Sequence, residues 1–193
     1  MLKTALNNSH ELLTEIIEPG DLVVDGTVGN GFDTLFLAKL VGKSGKVIGF
    51  DVQEQAINTT TEKLLAEKLL SRVDLHHKGH EALETMLTAQ DKVKAAIFNL
   101  GYLPKSDKSI ITKSDTTLTA LKALLSHLTP KGRIIIVIYY GHEGGLSEKD
   151  AVLNYVKNIP QADFNVLSYQ FINQKNNPPI LIAIEKKAKK HAP

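Results

Sequence analysis

Residues 25–33 read Asp25-Gly26-Thr27-Val28-Gly29-Asn30-Gly31-Phe32-Asp33, set between the apolar run Leu22-Val23-Val24 and a helix-like run from Leu35 to Leu40. A second strand-like run follows and ends in Asp51. This is the order of a βαβ unit: a glycine-rich turn caps a parallel strand, and the next strand ends in a carboxylate that can hold a ribose. Gly26, Gly29 and Gly31 let the backbone turn tightly and approach a ligand with no Cβ in the way. The helix that follows aims its unpaired N–H groups at that ligand, with Asp33 or Thr34 as the expected cap. The same glycines also suit an α/β turn that binds nothing, so the rest of the chain has to decide between the two readings.

The spacing is GxxGxG rather than GxGxxG. Dinucleotide sites use the latter to rest a pyrophosphate on the helix N-terminus, where a negative Asp33 is badly placed. A nicotinamide dehydrogenase is therefore disfavoured. S-adenosylmethionine (SAM) carries a sulfonium and an ammonium, and a turn flanked by Asp25 and Asp33 suits it better. Asp51 is then placed to accept hydrogen bonds from the ribose hydroxyls.

The chain has 193 residues, 42% hydrophobic and 23% charged, which fits one soluble domain with a sizeable core over residues 1–193. An N-terminal helix is expected in 1–18 and a basic, solvated tail in 186–193. No apolar run approaches the roughly 20 residues of a membrane span, and no signal-peptide core is present, so a cytoplasmic location without membrane contact is expected. With no cysteine, disulfides, thiolate catalysis and zinc–thiolate sites are excluded. His76, His77 and His80 have no carboxylate suitably placed to complete a ligand set, so no metal is expected. The net charge of +2 is too small to identify a nucleic-acid partner, and permits one only if the lysines cluster.

Seven β-rich runs are expected at 22–25, 46–50, 73–76, 95–98, 133–138, 165–171 and 180–184, alternating with helix-period segments. That alternation implies an α/β fold with a mostly parallel sheet. Within 53–70, Ala56, Ile57, Thr60, Leu64 and Leu65 fall near one helical face, and Leu118, Leu121, Leu125 and Leu128 form a stripe on a later helix. The last two runs are separated by 173–179, too short for a helical crossover, and should pair as an antiparallel hairpin. The layout is seven-stranded.

Polar and aromatic residues gather at the ends of the expected strands, where open α/β sheets bind ligands. Asn99 offers an amide donor and a carbonyl acceptor, and Tyr102 can stack on a flat ring. This is where a substrate base or amine should meet a methyl group, although Asn99 and Gly101 are also ordinary turn formers. After the fifth run, glycines leave Tyr140, His142 and Glu143 on a turn that could cover the substrate opposite Asn99. His142 is a candidate proton acceptor, or simply a solvated loop histidine. His80 follows the third run, on the side where adenine contacts are expected. The segment from Asn173 to Pro179 reads as a polar hairpin tip, in which Lys175 and the amides could touch an RNA backbone.

Together DGTVGNGFDT, FNLGYLP, the loop Tyr139-Tyr140-Gly141-His142-Glu143-Gly144-Gly145 and FINQKNNPP (171–179) resemble the bacterial YtqB/MnmM family, once called putative rRNA methylases. The resemblance spans nearly the whole chain. It implies a Rossmann-like class I methyltransferase that uses SAM to methylate the aminomethyl nitrogen of wobble 5-aminomethyl-2-thiouridine in the anticodon region of tRNA, and it implies a homodimer. Carried over by motif, Asp25, Gly26, Thr27, Asn30, Gly31 and Asp33 belong to the cofactor turn and Asp51 to the ribose. Gln53 lies beside the adenosine, and Asn99, Leu100 and Gly101 beside the methionine and its methyl group. Thr27 stands where many such enzymes have a glycine, so its hydroxyl is expected to replace a backbone contact. The expected chemistry has Asn99 orienting the amine, Tyr102 and Tyr140 framing the base, and His142 or water receiving the proton. Lys105, Lys108, Lys113 and Lys175 are the candidate RNA contacts. Two other classes remain open: the same chemistry on another RNA base, such as one in rRNA, and a noncatalytic nucleotide- or RNA-binding module.

Overall fold

The computed structural model describes residues 1–101 and 111–188. Along the chain it runs α1 (Ala5–Thr14), β1 (Leu22–Asp25), α2 (Phe32–Leu40), β2 (Lys46–Asp51), α3 (Glu54–Ala66), β3 (Val73–His77) and a single turn α4 (Leu83–Met86). It continues β4 (Val93–Leu100), α5 (Ser114–His127), β5 (Leu128–Ile138), α6 (Gly145–Lys157), β6 (Phe164–Tyr169) and β7 (Ile180–Lys186). The seven strands form one sheet in the order β3-β2-β1-β4-β5-β7-β6. β1 to β5 are mutually parallel, and β7 runs antiparallel to both β5 and β6. The expected fold class holds, hairpin included.

Period-two alternation divides the core between the two faces of the sheet. Ile97 of β4, Ile135 and Val137 of β5 and Leu181 of β7 pack with Leu13 of α1, Leu37 of α2 and Leu64 of α3. Their neighbours Phe98, Ile134, Ile136 and Ile182 point the other way, against Leu83 of α4, Leu121 and Leu124 of α5, and Val152 and Val156 of α6. Buried on both faces, the central strands read as continuous apolar runs. The chain order reverses between β1 and β4, and the ends of those strands frame the crevice where such sheets bind ligands.

Several boundaries differ from expectation, and three have a clear local cause. Helix α2 begins one residue after Gly31, whose φ of 80° supplies the left-handed turn, and it has no side-chain cap. Asp33 and Thr34 therefore lie inside the helix, and neither caps it. Leu128 is the first residue of β5 rather than part of the α5 stripe, because Thr129 precedes Pro130 and a residue before proline disfavours the helical region. β6 stops at Tyr169 rather than Phe171. In the β6–β7 register Tyr169 faces Leu181, so Phe171 would face Pro179, which has no N–H to give. Helix α6 has no counterpart in the sequence reading.

Candidate active site

A cavity of about 920 Å³ opens at the switch between β1 and β4. That is at the upper end of the roughly 300–1,000 Å³ usual for small-molecule sites. On one side lies the turn after β1. Gly29 N–H donates to Asp51 Oδ2 at 2.8 Å and Gln53 N–H donates to Asp51 Oδ1 at 2.9 Å. Each carboxylate oxygen keeps a second lone pair, and Asp51 and Gln53 both line the cavity. The backbone thus aims a carboxylate into the space, with the geometry to accept two hydroxyls.

Thr27 joins the two halves of the crevice, since its Oγ1 accepts the Asn99 N–H at 2.7 Å. A glycine at 27 would leave that part-buried N–H without this partner. Asn99 Nδ2 in turn donates to Asp33 Oδ2 at 2.6 Å, and Asp33 Oδ1 accepts from His10 Nε2 at 2.5 Å. Asp33 is 8% exposed. Asn30, Gly26, Leu100 and Gly101 line the same space.

Two expected cofactor residues do not line it. Asp25 is fully buried beneath the turn, where its carboxylate accepts from Thr27 N–H at 3.1 Å and Thr34 Oγ1 at 2.6 Å. It braces the turn from behind, and the acidic lining comes from Asp33, Asp51 and Glu81 instead. Gly31 packs against α3, where an added Cβ would stand 2.5 Å from Thr60 Oγ1. Its missing side chain serves helix packing.

His80 lines the cavity but is 6% exposed. Its Nδ1 donates to the Gly26 carbonyl at 2.9 Å, and its ring stands edge-on to Phe98 at 5.4 Å. Burial lowers its pKa, which favours the neutral ring. It supports the glycine turn from below rather than presenting a charge.

Across the cavity, Tyr140 and His142 lie on the loop after β5. Lys149 Nζ sits 4.8 Å from the Tyr140 ring centroid. Both His142 ring nitrogens contact backbone oxygens, Nδ1 that of Glu143 at 2.9 Å and Nε2 that of Tyr139 at 2.8 Å. The ring is tied into its own loop. Lys113 also reaches the cavity, as does Asn177 from the hairpin tip. Tyr102, Lys105 and Lys108 lie outside the described residues.

Sequence reasoning missed His10, Phe32, Lys78 and Thr112, all of which line the cavity. His10 comes from α1, which carries no motif, and only tertiary packing brings it to Asp33. Phe32 is 73% exposed at the cavity mouth, with Lys63 Nζ 4.5 Å above its ring. Its place inside the glycine motif was the one available signal.

The chain matches the model of the family described as "Putative rRNA methylase" over residues 47–185. It is 36% identical over 192 residues to the chloroplastic tRNA (mnm(5)s(2)U34)-methyltransferase of Arabidopsis thaliana, covering 95% of this chain and 70% of that protein. Among solved structures, a putative rRNA methylase from Clostridium thermocellum is 46% identical with a TM-score of 0.93, covering 96% of this chain and 99% of that one. A putative methyltransferase from Streptococcus mutans, solved in complex with S-adenosylhomocysteine (SAH), is 45% identical with a TM-score of 0.88 and the same coverage of both chains.

Proposed function

The chain belongs to the family described as "Putative rRNA methylase", and from that premise we propose that it transfers a methyl group from SAM to the aminomethyl nitrogen of wobble 5-aminomethyl-2-thiouridine in tRNA. The relatives and the fold support a SAM-dependent methyltransferase. The RNA, the nucleoside and the nitrogen are the proposal. The observation that supports it is Asn99 at the end of β4, its backbone N–H donating to Thr27 and its side-chain Nδ2 to Asp33, in the same cavity as the Asp51 carboxylate and with room for cofactor and nucleobase together.

When bound, the cofactor supplies an electrophilic methyl group on a good leaving group. The protein's task is alignment, worth up to about 7–11 kcal/mol in favourable cases. Asp51 holds the ribose, Gln53 lies by the adenosine, and Asp33 and Asp51 make the site favourable for a cationic donor. Asn99 presents the amine, which must be neutral to keep a lone pair, and proximity to a sulfonium disfavours a second positive charge. Tyr140 frames the base, and Tyr102 is proposed beside it. With His142 held by two carbonyl oxygens, water is the simpler proton acceptor. The homodimer, the anticodon contact and the cytoplasmic location belong to the same proposal. Among the described residues no helix is long and apolar enough to cross a membrane.

The test is to incubate the purified protein with methyl-labelled SAM and tRNA carrying 5-aminomethyl-2-thiouridine, then digest the RNA and identify the labelled nucleoside. Label in 5-methylaminomethyl-2-thiouridine is expected, with Asn99→Ala abolishing transfer while SAH affinity persists. Label only in rRNA would establish the other substrate reading, and SAH binding without transfer to any RNA would establish a noncatalytic module.

A further inference from the structure

His10 is 23 residues from Asp33 in sequence and lies on a helix with no part in the glycine motif. It nonetheless lines the cavity. Its ring stacks on Phe36 of α2 at 4.0 Å between centroids and 6° between planes. That places Nε2 at 2.5 Å from Asp33 Oδ1, one helical turn earlier on α2. The other oxygen of the same carboxylate holds Asn99 Nδ2 at 2.6 Å. Three elements, α1, α2 and β4, thus meet in one short chain of charge-assisted hydrogen bonds. His10, Asp33 and Asn99 all line the cavity.

The chain dictates which way the Asn99 carboxamide faces. Were it turned over, two oxygens would stand against each other at hydrogen-bond distance with no proton between them. With Nδ2 committed to Asp33, Oδ1 is left as an acceptor. An acceptor suits a substrate that brings an N–H, and offers nothing to a carbon nucleophile. Asp33 can hold this orientation only while its own rotation is stopped, and the N–H of His10 is what stops it.

We propose that His10 is a positioning residue for methyl transfer: by pinning Asp33 it fixes the Asn99 carboxamide with its oxygen toward the N–H of the substrate amine. The proposal rests on the methyl-transfer reading above. It deepens that reading by giving α1 a part in the reaction and by making the acceptor nitrogen one that carries hydrogen. His10 is not itself required to touch the substrate.

Two variants test it, His10→Leu and His10→Gln, the second restoring an N–H donor near the place of Nε2. The His10 side chain is 32% exposed, so either change leaves the main cores intact. In His10→Leu, kcat on aminomethyl tRNA falls on the order of tenfold to a hundredfold, a larger change than in the KM for SAM or in SAH affinity. His10→Gln recovers most of the loss. In parallel, the Asn99 side-chain amide protons, held downfield by the bond to a carboxylate, move upfield in the NMR spectrum of His10→Leu and return in His10→Gln. Wild-type kcat in His10→Leu, or an unmoved Asn99 amide, overturns the proposal. If the wild-type protein places no methyl group on the aminomethyl nitrogen, the proposed function fails instead, and the amide resonances, which need no RNA, still decide the role of His10.

Discussion

Asp25 looks from its position like a ligand group and is instead a brace with a titration of its own. Burial pushes its pKa up to about 7, Asp33 and to a smaller extent Asp51 add to the rise, and the hydrogen bonds from Thr34 and Thr27 oppose it. The folded protein therefore holds this proton where the unfolded chain, with an ordinary value of 3.8, releases it. The stabilising contribution is complete below the ordinary carboxylate range and is lost as pH rises toward 7. In Asp25→Asn that dependence disappears, and melting temperatures measured from about pH 4 to 8 should show a flatter profile than the wild type. Gly26 is constrained differently. A Cβ there would lie 2.2 Å from the Phe98 ring, so Gly26→Ala should cost about 1–3 kcal/mol by overpacking. Since the clash belongs to one pair, Phe98→Leu in the same chain should return part of that loss in chemical denaturation, a coupling that independent sites do not show.

Helix α6 is tied to α5 and to the end of β4 through one buried acid. Glu148, 4% exposed, accepts from Thr112 Oγ1 at 2.5 Å and lies 3.1 Å from Thr117 Oγ1. Thr112 Oγ1 in turn accepts the Gly101 N–H at 2.9 Å, and Thr117 Oγ1 is 3.4 Å from His80 Nε2. Burial raises the Glu148 pKa against the pull of both threonines. Both threonine hydroxyls donate to the Glu148 carboxyl group, one to each oxygen. Glu148→Gln keeps one acceptor oxygen for the threonines and should cost less than full removal of the side chain. Glu148→Ala leaves two hydroxyls without this partner and should cost about 1–3 kcal/mol. Equilibrium unfolding in urea separates the two, and equal losses would count against these hydrogen bonds as the source of the stability.

With a net charge of only +2, attraction to RNA on the proposed reading has to come from local clusters rather than from the overall field. Lys78 and Lys113 both line the cavity. If each meets one phosphate, the slope of log K against log salt should become shallower by about one in Lys78→Ala and again in Lys113→Ala, measured by fluorescence anisotropy with a labelled anticodon stem-loop. The architecture that carries these lysines was open to sequence reading almost throughout. Apolar runs of strand length alternating with helical stripes admit few arrangements other than a parallel sheet covered on both faces, and the short link before Ile180 admits little but a hairpin. The glycine turn, Asp51 and Asn99 were legible for the same reason, since each lies at a strand end that local pattern alone locates. Asp25 and Gly31 sit in the same motif, yet they face away from the cavity, because the direction of a side chain on a turn depends on what packs behind it, here Thr34 and Thr60. His10 and Glu148 lay beyond reach altogether. Local chemistry writes secondary structure and its punctuation into neighbouring residues, but the meeting of α1 with α2, or of α6 with α5, is settled by the packing of distant faces, and it is there that Asp33 and Thr112 acquire their partners.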